Sequence, residues 1–235
     1  MLTSPQFSPS RLLSVKDRID RATAAAGRAP GSVTLIGVSK TQPVDVVRAA
    51  ISAGLRDLGE NYLQEAIPKI TDLSGLCDTV HWHYIGQLQS NKTRPVAEHF
   101  DWVHTVDRRK LAERLSVQRP AHRGDLNVCL QVNIGNEATK GGIDPDGILD
   151  LAQAVAALPR IKLRGLMCIP PESNDFDGQR GYFAALRQLL DDLRAKGFVM
   201  DTLSMGMSAD LEAAIMEGAT HVRIGTAIFG ERNKV

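Results

Sequence analysis

Aromatic side chains make up only 5% of the 235 residues, cysteines number three, and neither sign of charge dominates. Each scarcity excludes something. Cys77, Cys129 and Cys168 are odd in number, far apart and without paired spacing, so neither a disulfide framework nor a zinc site is indicated. They read as small core residues in a reducing compartment. Lys plus Arg total 28 against 27 Asp plus Glu, a formal charge of +1, and the basic residues are scattered among acidic ones. Recognition of a phosphate backbone shows as a basic face, so nucleic-acid binding is excluded as the main activity. No stretch approaches the ~18 apolar residues that a bilayer span needs. Met1 to Ser10 carries neither a basic cluster nor an apolar signal core. A cytoplasmic protein without a membrane partner is expected.

What is present is a repeating alternation of short β-type runs and helical segments. Pro9 to Ala26 places Leu12, Val15, Ile19, Ala22 and Ala26 at helical intervals, with Ser8 or Ser10 able to cap its start. Eight β-type runs follow: Val33 to Val38, Asp57 to Asn61 with a polar end, Val80 to Gly86, Trp102 to Val106, Asn127 to Val132, Leu163 to Met167, Thr202 to Met205 and His221 to Ile224. A helical segment separates each from the next. There is no long low-complexity linker, and no dinucleotide-binding glycine fingerprint follows the first run. The count predicts an α/β fold, one parallel (β/α)8 barrel over residues 1–235, with the leading helix outside it, covering one end or the last gap in the helical ring.

Barrels of this kind collect their functional groups on the loops at the carboxyl ends of the strands, and hold phosphate after strands seven and eight. The sequence has small-residue turns at both places. Gly206-Met207-Ser208 is expected to deliver Ser208 to a helix N-cap, and Gly225-Thr226 opens the second turn. Unpaired N–H groups and hydroxyls at such turns suit an anion. Asp210 complicates this, since a carboxylate there repels phosphate unless it turns away. In a closed barrel strand one adjoins strand eight, so Lys40, where the first strand opens into Thr41-Gln42-Pro43, lies across a short gap from these turns. Pyridoxal phosphate fits that gap, its aldehyde on the lysine amine and Arg223 facing its pyridine nitrogen. Pro43 suits the first turn of the next helix.

Val38-Ser39-Lys40-Thr41, Gly59-Glu60-Asn61-Tyr62, the run from His81-Trp82-His83 to Asn91-Lys92, Gly206-Met207-Ser208-Ala209-Asp210, and Arg223-Ile224-Gly225-Thr226-Ala227-Ile228-Phe229-Gly230 carry a resemblance. Over nearly the whole chain they resemble, in order, the pyridoxal phosphate homeostasis proteins. The resemblance implies a barrel like the N-terminal domain of alanine racemase, with pyridoxal 5'-phosphate as a Schiff base on Lys40. It further implies that Ser208, Gly225 and Thr226 hold the phosphate, that Arg223 meets the ring nitrogen, and that Asn61 and Met167 line the ring. The implied role is to store or deliver the cofactor, with pyridoxal-phosphate-dependent apo-enzymes as recipients and without established turnover. Gln42 departs from a second lysine found in some relatives, and Lys140, after strand five, also falls on the functional face. His81 and His83 share one face of their strand, which suits packing or hydrogen bonding better than metal binding.

The competing readings are an amino-acid racemase and a barrel enzyme that uses Lys40 on a phosphorylated metabolite. Racemization needs acid–base groups on both faces of the bound substrate. The similar racemases take a tyrosine from a second domain, for which five residues after Gly230 leave no room, and Tyr62, Tyr84 and Tyr182 are not evident substitutes. A monomer is expected on the same ground. Incubation of the cofactor-loaded protein with L-alanine is expected to yield no sustained D-alanine; turnover above ~1 per second would establish the racemase instead.

Overall fold

The computed structural model describes residues 7–76, 80–137 and 141–230. Cys77 and Lys140 lie outside them. Eight parallel strands form a closed barrel in sequence order: β1 Thr34–Val38, β2 Asp57–Glu60, β3 His81–Tyr84, β4 Trp102–Val106, β5 Leu126–Gln131, β6 Ile161–Met167, β7 Thr202–Ser204 and β8 His221–Ile224. The helices are α1 Pro9–Ala25, α2 Val44–Ser52, α3 Leu63–Leu73, α4 Thr93–His99, α5 Arg109–Gln118, α6 Ile148–Ala156, α7 Phe176–Ala195, α8 Leu211–Met216 and α9 Thr226–Phe229. All eight expected strands exist, shifted by a residue or two at their ends. The short α9 was not foreseen, because one turn leaves no periodicity to read.

Strand alternation divides the side chains into two populations. Leu58, Val103, Val128, Leu130, Leu166, Leu203, Val222 and Ile224 belong to the continuous apolar layer between strands and helices. The registers Thr34↔His221, Ile36↔Arg223, Ile36↔Asp57, Gly59↔His83 and Met167↔Ser204 put the other set on the inward side. That set is unusually polar for a barrel of this class, where branched aliphatics dominate. Its apolar members Trp102, Cys129 and Met167 make a small cluster separate from the main core.

Closure of the helical ring explains α1. The helix after β8 is only four residues long, and α1 packs against α8 and α9, filling the place that α9 is too short to occupy. Leu12, Val15, Ile19 and Ala22 form its buried stripe. Arg18 makes a bidentate pair with Glu212 of α8, both bonds 2.9 Å. Arg28, just past the helix, donates to the carbonyls of Ile215 and Ala219 at 3.0 and 2.8 Å.

Three local expectations are corrected. Ser8 is the N-cap of α1 but makes no capping bond; its hydroxyl meets Ser10 Oγ, and Pro9 at the first helical position already removes one orphan donor. Pro43 is itself the N-cap of α2, in extended conformation, one residue earlier than expected. Ser208 is not an N-cap: α8 begins at Leu211 after Asp210. Among the described residues, no helix is long and apolar enough to cross a membrane.

Gly165 in β6 stands where a Cβ would overlap the backbone carbonyl of Thr202 on β7, so strand pairing there requires glycine. Gly181, inside α7, has nothing within 4 Å of such an atom. Gly165→Ala is expected to cost at least about 3 kcal/mol in urea unfolding, whereas Gly181→Ala adds about 0.5–1 kcal/mol of stability.

Candidate functional site

At the C-terminal mouth of the barrel, β1 runs into a tight turn in which the Gln42 N–H donates to the Ser39 carbonyl at 3.1 Å. Half-buried Lys40 is inside this turn, and the next residue, Thr41, adopts φ +65°. A β-branched residue is strained in that region and needs outside support. Helix α3 supplies it. Glu65 Oε2 accepts the Thr41 N–H at 2.7 Å, and Lys69 Nζ donates to the Ser39 carbonyl at 2.8 Å. Lys69 also donates to Glu60 Oε1 at 2.9 Å, which accepts the Ser39 hydroxyl at 2.7 Å. Burial pushes the Glu60 carboxyl pKa up, while Lys69 beside it pulls the other way. The lysine is thus presented by a turn gripped on both flanks. None of this grip was foreseen, since Glu65 and Lys69 reach it from a different helix and carry no local signal.

Closure of the barrel brings the opposite wall alongside. Gly37 pairs with Ile224, so Gly225 follows directly beside Val38; a Cβ on Gly225 would lie 3.4 Å from both the Val38 carbonyl and its Cβ. Gly225 and exposed Thr226 open α9, whose first N–H groups lack partners within the helix. Gly206, at φ +96°, makes the other turn, and the Arg223 N–H donates to its carbonyl at 2.9 Å, tying the two turns together. Ser208 is half-buried between Gly206 and α8, and Arg18 of α1 holds its carbonyl at 3.2 Å. The carboxylate of Asp210 bends back onto the Met207 N–H. Burial pushes its pKa up, while the Met207 N–H and the nearby Arg223 pull the other way.

Arg223 is buried on the inner wall of β8, its Nη1 donating to Ser204 Oγ at 2.8 Å and its Nη2 to the Cys168 carbonyl at 2.9 Å. Desolvation lowers its pKa. Met167, fully buried at the end of β6, packs with Trp102 and Cys129 below the mouth. Asn61 follows β2 and lines a cleft of ≈ 440 Å³ together with Tyr62, Tyr84, Gln87 and Lys92. Its Oδ1 is buried without a hydrogen-bond partner among the described residues. Gln42 is buried, and its Oε1 is likewise without one.

The two histidines of β3 separate: His81 is exposed at the N-terminal end of the strand, whereas His83 is buried within the barrel. Trp82, between them, packs under the helices. Among the described residues no group of three or more His, Cys, Asp or Glu is arranged for a metal ion. Cys129 and Cys168 are buried, and burial pushes both thiols up to about 12, which leaves them inert as nucleophiles. Tyr84 is also driven to about 12 by burial and donates to the Gln87 carbonyl at 3.3 Å, so it is poorly suited to acid–base exchange near neutrality.

A closed parallel barrel with a lysine ending its first strand and an arginine and a glycine–threonine turn ending its eighth defines a class: the barrel of the alanine racemase N-terminal domain. Residues 13–233 match that family, described as "Alanine racemase, N-terminal domain". A Clostridium difficile alanine racemase shares the fold at TM-score 0.74 and 14% identity, covering 100% of this chain and 64% of its own. Within the class, a Pseudomonas aeruginosa protein named pyridoxal phosphate homeostasis protein is 58% identical over 93% of each chain. The PipY protein of Synechococcus elongatus, solved with PLP bound, aligns at TM-score 0.78 and 38% identity over 90% of this chain and 100% of its own. The chain belongs to the pyridoxal phosphate homeostasis protein family.

The Lys69–Glu60 pair is 6% and 0% exposed. Lys69→Met leaves the Glu60 carboxylate buried and unpaired, and is expected to cost about 3 kcal/mol of unfolding free energy. Adding Glu60→Gln is expected to recover at least half of that loss in the same urea titration.

Proposed function

We propose that this chain is a cytoplasmic carrier of pyridoxal 5'-phosphate, built as one barrel domain, which moors the cofactor covalently on Lys40 and stores or delivers it without catalytic turnover. The observation that carries the proposal is the juxtaposition across the β1–β8 closure. The Lys40 turn lies on one side, and the Arg223, Gly225 and Thr226 wall on the other. Pyridoxal phosphate supplies an aldehyde that condenses with an amine with loss of water, and a pyridine ring that can withdraw electrons.

The residues present fit such a group. Ser208, Gly225 and Thr226 offer small side chains, hydroxyls and turn N–H groups for a phosphate. Asn61, with its buried unpartnered oxygen, and Met167, at the end of β6, suit the flanks of the ring. Arg223, held by two neutral acceptors, gives the ring nitrogen a hydrogen bond and keeps its own proton, so the chain does not reinforce electron withdrawal. That choice favours holding over turnover. The grip of Glu65 and Lys69 on the Lys40 turn fixes where the amine leaves the backbone. Release to apo-enzymes follows from the reversibility of the amine bond.

The relatives named above support the cofactor, and the racemase reading gains nothing from Tyr84, whose phenol burial holds at about 12. Purified protein supplied with pyridoxal phosphate is expected to show an absorption band near ~420 nm that borohydride fixes as added mass on Lys40. Lys40→Ala is expected to lose the band and retain weaker binding. Colourless wild-type protein that takes up no cofactor would refute the carrier reading.

A further inference from the structure

The inward face of the barrel contains a continuous line of hydrogen bonds that the site described above does not use. Asp57 Oδ1 lies 3.0 Å from His83 Nε2. His83 Nδ1 lies 2.9 Å from His104 Nε2, and His104 Nδ1 lies 2.8 Å from Ser204 Oγ. Ser204 Oγ in turn accepts Arg223 Nη1. The line starts at Asp57, the first residue of β2 and 20% exposed at the N-terminal mouth, and ends on the guanidinium near the opposite mouth.

With one hydrogen on each ring, the direction of every bond follows from the carboxylate end. An ionised carboxylate can only accept, so His83 Nε2 carries the hydrogen. His83 is fully buried, and desolvation lowers its pKa against the opposing pull of Asp57; with its single ring hydrogen drawn to Nε2 by the carboxylate, its Nδ1 is left to accept from His104 Nε2. His104 is buried likewise, its pKa held well below the usual value by desolvation first and then by the neighbouring His83, His221 and Arg223, beside any of which a charged imidazolium would be disfavoured. Its Nδ1 must therefore accept the Ser204 hydroxyl hydrogen. Ser204 has spent its one hydrogen, and its lone pairs are left for Arg223, a group that can only donate. The His83 ring is stacked on Trp102 at 5.5 Å between centroids, with Arg164 4.8 Å from the Trp102 ring centre on β6, so it has little freedom to turn over.

We infer that Asp57 is a positioning residue for Arg223, acting through a one-way chain of His83, His104 and Ser204 that spans the barrel interior. Arg223 receives no carboxylate in either of its two η hydrogen bonds, and a buried cation with only neutral acceptors is poorly compensated. Hydrogen bonds aligned head to tail polarise one another, so the chain brings the negative charge of Asp57 to bear on the guanidinium and fixes the rotation of its fork. Asp210 also acts on Arg223 through space but is engaged with Met207 and does not enter the chain. For cofactor binding this rests on the reading that Arg223 meets the pyridine nitrogen; the order of the chain does not.

The test uses the full-length protein without cofactor, labelled with 15N at histidine. Long-range nitrogen–proton spectra are expected to show His83 and His104 each protonated on Nε2 and bare on Nδ1. In Ser204→Ala the order at His104 is retained, because Asp57 still imposes it. In Ser204→Ala with Asp57→Ala both tautomers appear at His104, although Asp57 does not touch that ring. Protonation of Nδ1 in the wild type, or an unchanged His104 in the double variant, would overturn the inference. Binding of pyridoxal phosphate gives the second readout. Ser204→Ala is expected to weaken it about 5-fold and Asp57→Ala about 3-fold, with the double variant no weaker than Ser204→Ala alone. Additive losses would mean that Asp57 acts by another route. Absence of binding by the wild type would count against the carrier reading, and the chain is then judged by its nitrogen spectra.

Discussion

The pairing of β1 with β8 is the constraint on which the rest depends. It sets Thr34 beside His221 and Gly37 beside Ile224, and so makes neighbours of the two segments that carry Lys40 and the Arg223–Thr226 wall. Neither segment is a site by itself. The lysine ends a strand that would otherwise be an edge, and the glycine–threonine turn begins a helix of one turn. Closure gives each its partner and abolishes the sheet edges at the same time. The shortness of α9 then leaves a gap in the helical ring, and α1 occupies it.

A second consequence concerns what fills the barrel. The apolar shell between strands and helices supplies the bulk of the burial, whereas the inward positions of β2, β3, β4, β7 and β8 include Asp57, His83, His104, Ser204 and Arg223. Buried polar groups cost stability unless they are paired. Here they pair with one another in a line, which makes the interior more specific and less tolerant of substitution than a barrel filled with branched aliphatics.

The sequence disclosed the strands well because strand length, β-branched content and the intervening helical periodicities are local properties. Lys40 and the turns after β7 and β8 could be picked out because the barrel architecture itself says where to look. Ser208 competes with Asp210 for the N-cap on sequence grounds because serine and aspartate are equally good caps, and nothing local favours the residue two positions on. The strained Thr41 was illegible, since a β-branched residue gives no warning of positive φ. So was its support from Glu65 and Lys69, which depends on how α3 lies against β1 and β2. His81 and His83 suit packing or hydrogen bonding on sequence grounds, but nothing local marks His104 or the order of the chain, because the His104–Ser204 bond joins residues a hundred positions apart. The roles proposed for Asn61, Met167, Ser208, Gly225 and Thr226 come from likeness of motif, and of these five Asn61 lines the cleft beside β2.

The bond between Arg18 and Glu212 joins residues 194 positions apart. Contacts of such span form late in folding, because the chain entropy of a large loop opposes them until the intervening structure exists. On the ribosome, the segment that bears Lys40 emerges well before β8, and during that interval its amine is an ordinary exposed lysine. The surroundings of Lys40 are therefore a property of the finished barrel alone. A growing chain carries the lysine without its opposite wall, and acquires that wall only when its last strand is in place.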